Sequence, residues 1–316
     1  MHFLRLVRYK NLIIIALTML SMRYLVMRPI LLALGMQLQM AGWLFALLVL
    51  ATVLIAAAGY AINDYFDMRP DAINRPQGQV VGRTVSKRTA IALHSVLSAL
   101  GVLMGAAVAF KVGRPALTLI FALATGVLWF YSTTYKRQLL VGNIVVALLT
   151  AMVPLLPLIF EYPMFQVYWS SVVVYQIKLY PMVYWVAGYA AFAFMLTLAR
   201  EVIKDMEDFE GDASYGRNTL PVYFNIKVSK VFVGIVLMLT NVLLAVALMW
   251  YLRATQPLDI VTLIYSIVLL MMPILALIVL LIVAREKHHY HAASTMCKLI
   301  MLLGIAYTLV FCYVVV

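Results

Sequence analysis

Two short acidic segments hold the residue types that could do chemistry in this chain. The stretch "NDYFDMRPD" places Asp64, Asp67 and Asp71 in eight positions, and "DMEDFEGD" places Asp205, Asp208 and Asp212 in another eight. Both triplets have the same spacing, three residues and then four. Steps of three and four put side chains on one helical face. Nine of the twelve acidic residues fall in or beside these segments: Asp64, Asp67, Asp71, Glu201, Asp205, Glu207, Asp208, Glu210 and Asp212. Ordinary solvated loop charges would not repeat one spacing twice.

Three like charges on one stripe repel each other. No partner of fixed charge is evident from the pattern alone, and unpaired charge near a bilayer is costly. Hard divalent cations relieve that cost because they prefer carboxylate oxygens. Magnesium keeps several waters and is commonly held by one or two carboxylates together with substrate phosphates. Arg75, Arg83, Lys87, Lys136, Arg137, Arg200 and Lys204 lie close by in sequence. Arg matches a phosphate with a two-pronged fork and Lys as a point charge, although any of them also serves as a topology determinant. The pattern therefore describes a diphosphate bridged by magnesium between two carboxylate clusters. Such a site draws electron density onto a leaving diphosphate. Gly211 and Pro70 suggest that each acidic helix breaks near its third aspartate.

The elements that carry the clusters are apolar. The chain is 66% hydrophobic and 11% charged, with a mean hydropathy of +1.01. A soluble domain carries about 25% charged residues. Apolar runs near the length of a bilayer span recur throughout, and the alternation of a membrane barrel is missing. The reading is an all-α polytopic membrane protein, one transmembrane domain over residues 1–316. Nine spans lie near 11–35, 41–63, 88–110, 114–133, 139–160, 180–201, 229–252, 258–284 and 293–315. The start resembles a signal peptide, but no small-residue cleavage site is evident, so it reads as a retained first span that Arg23 and Arg28 interrupt.

Nine spans sort the connections by side. Seventeen basic residues fall on one side and six on the other (Arg23, Arg28, Lys111, Arg114, Lys178 and Arg253), with Lys298 inside the last span. The excess assigns the first side, which carries both aspartate clusters, to the cytoplasm. The net charge of +12 is then a topology signal with attraction to anionic membrane lipids; nucleic-acid binding is a poor reading. Cys297 and Cys312 read as apolar packing residues. His288, His289 and His291 read as ordinary residues of a cytoplasmic loop.

At this point the residues resemble a known family. "NDYFDMRPDAINRP" is similar to the first signature of the UbiA superfamily of intramembrane prenyltransferases, and "DMEDFEGD" to the second. The resemblance implies a nine-helix bundle around a central cavity open to the cytoplasmic side, in the cell (inner) membrane. It implies magnesium as cofactor and prenyl transfer to a lipid-soluble acceptor. Asn63, Asp64, Asp67 and Asp71 would form the first magnesium–diphosphate site, and Asp205, Asp208 and Asp212 the second. Arg75 would belong to the diphosphate loop. "FYSTTYKR" is similar to a tyrosine–lysine segment, implying Tyr131, Tyr135 and Lys136 near the diphosphate; Lys204 is assigned there with them. Asn11 in "RYKN" is similar to an asparagine that faces the cavity. "REVIKDMEDFEGD" with "GNIVVALLT" is most like the digeranylgeranylglyceryl phosphate synthase branch, which implies geranylgeranyl diphosphate as donor and O-prenylation of geranylgeranylglyceryl phosphate. After Asn-Arg-Pro the chain departs from the common pattern, with Gln77-Gly78-Gln79 in place of a second basic-Pro step.

Three alternatives stand beside this reading. One is C-prenylation of an aromatic acceptor, such as 4-hydroxybenzoate or a menaquinone precursor. Another is a transporter or ion-binding protein, which would place charge near the bilayer midplane; here both clusters fall at span ends on one side. The third is a silent prenyl-lipid scaffold, disfavoured because all six cluster aspartates are present.

Overall fold

The computed structural model describes residues 2–74, 78–168, 179–255 and 258–315. Arg75 and Lys178 lie outside the described residues. A short helix α1 (His2–Leu6) precedes α2 (Tyr9–Ala33), α3 (Gly42–Phe66) and α4 (Met68–Asn74). Next come α5 (Lys87–Lys111), α6 (Thr118–Thr133) and α7 (Val141–Tyr168). They are followed by α8 (Tyr180–Glu207), α9 (Phe209–Ser214), α10 (Leu220–Tyr223), α11 (Ile226–Ala254), α12 (Ile260–Val283) and α13 (Lys287–Val315). Nine of these stretches are long and apolar enough to cross a membrane. Among the described residues extended pairing is limited to an isolated bridge between Val81 and Val85. Helices suit a bilayer because each satisfies its own backbone hydrogen bonds.

The chain divides into two compact units, Met1–Lys136 with Met152–Ala187, and Arg137–Ala151 with Gly188–Val316. In the first, α3 packs against α2, α5 and α6. Gly101 and Gly105 of α5 make that packing possible. A Cβ at Gly101 would meet the Ile55 side chain at 2.6 Å, and one at Gly105 would meet the Phe121 ring at 2.3 Å. Small residues one turn apart let helices approach closely in a membrane. Phe45, Leu48, Ala51, Ile55, Phe121 and Phe160 fill the core beside them. In the second unit, Leu196, Val202, Val233, Ile274, Leu277 and Ile300 form the core, and Cys297 is buried among them as an apolar packing residue.

Three expectations are corrected. Arg23 does not belong with the loop charges. It lies in a π-helical segment of α2 (Met22–Met27), 2% exposed, with Nε donating to Glu161 at 3.2 Å. Its Nη2 donates to the Met40 carbonyl, and its guanidinium sits 4.6 Å from the Phe45 ring centre. Glu161 also accepts from the Gln39 and Met40 backbone N–H groups. A hydropathy scan sees Arg23 as a charge, whereas the fold pairs it with an acid 138 residues away. Second, the histidine stretch is helical: His288, His289 and His291 lie in the first turns of α13. Their polarity ends a hydrophobic window, but the helix extends past the apolar stretch. The third correction concerns the aspartate breaks themselves.

Candidate active site at two aspartate kinks

Both acidic helices bend at the middle aspartate, not near the third. In the first cluster α3 ends at Phe66, and Asp67 takes φ −85°, ψ −1° before α4 begins. Pro70 supplies the cause. Its ring clashes with the carbonyl four residues back, that of Phe66, so the disturbance falls upstream of the proline. Pro70 itself fits the first turn of α4, where a missing N–H is tolerated. In the second cluster α8 ends at Glu207, and Asp208 takes φ −98°, ψ 13° before α9. Gly211 lies inside α9 and does not terminate it. The helical hydrogen bonds run through both bends. Asp67 N–H donates to the Asn63 carbonyl at 2.9 Å and Asp71 N–H to Asp67 at 2.9 Å. Asp208 N–H donates to Lys204 at 2.8 Å and Asp212 N–H to Asp208 at 3.1 Å. Each triplet therefore stays on one continuous, kinked stripe.

Basic and amide side chains meet the first triplet. Lys136, in the turn after α6, donates to Asn63 Oδ1 at 3.2 Å and ion-pairs with Asp67. Asn63 also donates to Asp67 at 2.8 Å. Arg8 Nη2 reaches Asp64 Oδ1 at 2.8 Å, with its guanidinium 5.0 Å from the Tyr60 ring centre. Asn11 Nδ2 donates to the Tyr60 hydroxyl at 3.2 Å. Asp71, on α4, is half-buried. Burial pushes its carboxyl up to about 6, and the Asp67 charge adds to this while Lys136 opposes it. Leu6 of α1 packs with Ala61, Val80, Val81 and Ala90, which anchors the chain just before Arg8.

The second triplet is held similarly within its own unit. Asn143, near the start of α7, donates to Asp205 Oδ2 at 2.7 Å. Arg217 Nη1 bonds buried Asp212 at 3.1 Å. Lys204 lies on Glu201 at 3.8 Å, and Arg200 Nη1 on Glu201 at 2.6 Å. Buried Glu207 pairs with exposed His291 at 3.1 Å.

The sequence expectation that the six carboxylates lack fixed-charge partners is therefore corrected. Asp64, Asp67 and Asp212 each hold an arginine or lysine. The structure brings together Asn63, Asp67 and Lys136 as expected. Tyr135 packs on Phe130, ring centres 6.2 Å apart, and Tyr131 is half-buried at the end of α6. Arg8, Asn143 and Arg217 escaped the sequence reading. A signal existed for one of them: Asn143 is a polar residue at the head of an apolar run. Among the described residues the non-glycine positions with positive φ are Arg8 (50°) and Leu140 (57°). Each comes just before a helix, α2 or α7, whose neighbouring side chain serves one triplet. Such backbone strain persists only where the surroundings over-determine it.

The donor set is all oxygen, which suits magnesium and not a thiophilic metal. Among the described residues no three acidic, His or Cys side chains converge as a preformed cage.

Comparison with known proteins gives a family and a fold. The model of the UbiA prenyltransferase family matches residues 24–303. A digeranylgeranylglyceryl phosphate synthase from Methanothermobacter thermautotrophicus is 32% identical over 189 residues, 59% of each chain. One from Thermococcus sibiricus is 34% identical over 185 residues, 58% of this chain and 57% of that one. The match thus spans under two thirds of these relatives' length. In fold, the chain is similar to a UbiA homologue from Aeropyrum pernix, with TM-score 0.62, 16% identity and coverage of 92% and 97%. A UbiA homologue from Archaeoglobus fulgidus, solved bound to GPP and Mg2+, gives TM-score 0.58 at 15% identity, covering 98% and 100%.

Proposed function

The chain belongs to the UbiA prenyltransferase family, and on that premise we propose that it transfers a prenyl group from a prenyl diphosphate to a lipid-soluble acceptor. The observation that carries this reading is the pair of aspartate triplets, alike in spacing and in the position of their kinks, each met by a basic side chain. The two compact units act as one prenyltransferase domain, supported by a family match that runs through both.

Asp64, Asp67 and Asp71 in the first cluster and Asp205, Asp208 and Asp212 in the second would hold magnesium. When bound, that ion would neutralise charge building on the departing diphosphate. Lys136, poised on Asp67 and Asn63, supplies a point charge for a phosphate oxygen. Asn143 and Arg217 orient Asp205 and Asp212. Tyr131, Tyr135, Lys204, Asn11 and Arg75 complete the assignment by resemblance. In the transfer, the allylic carbon–oxygen bond of the donor breaks and the same carbon bonds to the acceptor oxygen. The acceptor proton passes to a cluster carboxylate or to the departing diphosphate.

The donor is geranylgeranyl diphosphate and the acceptor geranylgeranylglyceryl phosphate, supported by the names of the relatives above. The basic excess on the cluster side supports a site that opens to the cytoplasm from the cell membrane. The test supplies purified protein with magnesium, labelled prenyl diphosphates of several lengths and a panel of acceptors, with products identified by mass. An ether lipid is the expected product, lost in EDTA and restored by magnesium. A prenyl group on the ring carbon of 4-hydroxybenzoate or a dihydroxynaphthoate, with no ether formed, would replace the acceptor assignment and keep the metal chemistry.

A further inference from the structure

We propose that Arg8 is a placeholder cation for the first cluster: its guanidinium holds the Asp64 carboxylate while no divalent ion is bound, and turns to the diphosphate when the ion arrives. This rests on the prenyl-diphosphate reading above. Asp64 is mostly buried, its side chain 15% exposed, so its charge needs a counter-ion in the metal-free protein. Arg8 meets it through a single 2.8 Å bond from Nη2 to Oδ1. A fork that uses one prong on a carboxylate keeps donors for phosphate oxygens. The Arg8 side chain is 36% exposed and can swing on its long stem.

The backbone argues that this side chain is wanted here. Arg8 sits at φ 50°, ψ 53°, a left-handed conformation that glycine adopts at no steric cost and arginine does not. Such strain marks positions where function and surroundings outweigh local preference. The support is visible on both sides. Leu6 is buried in the apolar cluster just before Arg8. Behind the guanidinium lies the Tyr60 ring, whose hydroxyl is fixed by Asn11. The ring face favours a cation in place without taking the fork's hydrogen bonds.

A simple stitch between α2 and α3 and a placeholder differ in sign. A stitch orders the site, so its loss weakens every ligand. A placeholder competes with metal for Asp64 and assists diphosphate. The experiment follows Mn2+ binding by the paramagnetic resonance of the free ion, and binding of labelled inorganic pyrophosphate at saturating Mg2+, on purified full-length protein. Arg8→Gln is expected to bind Mn2+ about two- to fivefold more tightly, the scale of one half-exposed ion pair. It is expected to bind pyrophosphate about tenfold or more weakly, the scale of a charged hydrogen bond. Arg8→Lys restores most pyrophosphate binding.

Arg8→Gly relaxes the backbone and serves if the Gln protein folds poorly. It is expected to show the same two binding changes. Weaker or unchanged Mn2+ binding in Arg8→Gln and Arg8→Gly would overturn the placeholder role. Asp64→Ala separates the two levels of the claim. If wild type binds Mn2+ and pyrophosphate and Asp64→Ala loses the metal, a wrong sign in the Arg8 variants refutes Arg8 alone. If wild type binds neither, the prenyl-diphosphate reading fails and this inference with it.

Discussion

The first unit contains two ion-pair centres, one just before α2 and one within it, and they are built to opposite ends. Arg8, at the start of α2, and Arg23, within it, are separated by roughly 22 Å of helical rise. Arg23 and Glu161 are 2% and 0% exposed, and each has further partners in the Met40 carbonyl and the Gln39 and Met40 N–H groups. Arg8 with Asp64, and Lys136 with Asp67, leave one partner of each pair in reach of solvent, 36% and 22% exposed. A buried pair shut away from water, with partners on both its acid and its base, has little left to offer a ligand. A pair at a helix end, open to solvent on one side, can exchange its partner. Satisfaction and access, and not the presence of charge, separate a structural pair from a working one.

The hardest test of that contrast is at Glu161. Removing one partner of a buried pair leaves an uncompensated charge and costs about 3–5 kcal/mol. Glu161→Ala is therefore expected to lower the melting temperature and the yield of folded protein sharply. The paired replacement Arg23→Met with Glu161→Leu should recover much of the loss. If Glu161→Ala folds normally and only turnover falls, the far centre is functional and the contrast collapses.

The two aspartate clusters should behave the other way. Asp64→Ala or Asp208→Ala is expected to cut turnover by at least about a hundredfold, the loss of one main electrostatic stabiliser, with folded yield little changed. Near-normal turnover in both variants would place the chemistry elsewhere. A smaller effect is expected at Asn143. Asn143→Ala removes a neutral-to-charged hydrogen bond worth roughly 1.5–3 kcal/mol at most, so turnover should fall about tenfold. Asn143→Asp, which sets a second carboxylate against Asp205, should do worse than Ala. Equal, unchanged rates in the two variants would remove Asn143 from the site.

The mildest effect concerns pH. The Asp71 carboxyl titrates near 6 because burial and Asp67 disfavour its charge. Below that pH it carries a proton that a metal ion must displace; above it the carboxylate is already free. The magnesium concentration for half-maximal turnover should thus rise by up to about fivefold from pH 6 to pH 5 and stay nearly flat above pH 7. A requirement that does not change down to pH 5 would remove Asp71 from the ligand set.

Some of this was legible in advance. The aspartate spacing survives as two continuous stripes, and Lys136 meets the first of them. Other features were hidden because they depend on residues distant in the chain. Arg23 looked like a topology charge until Glu161 was seen against it. Asn143 was one polar residue in an apolar run until it met Asp205. The first kink moved from the third aspartate to the second because a proline acts on the carbonyl four residues behind it, which a reading of the proline's own position overlooks; the second also lies at its middle aspartate, with no proline beside it.

By itself the sequence determined the class of the protein and its reactive groups. Apolar length sets the number of spans, because a bilayer demands about twenty residues for each crossing. Repeated spacing of carboxylates sets the stripe, because helix period is a local property. Tertiary structure alone decided which charges are partners. Arg8, Arg23, Lys136 and Arg217 are alike to any composition count. What divides them is whether folding sets a carboxylate within hydrogen-bond reach and how much water it leaves beside them, since dielectric and geometry are properties of the packed chain.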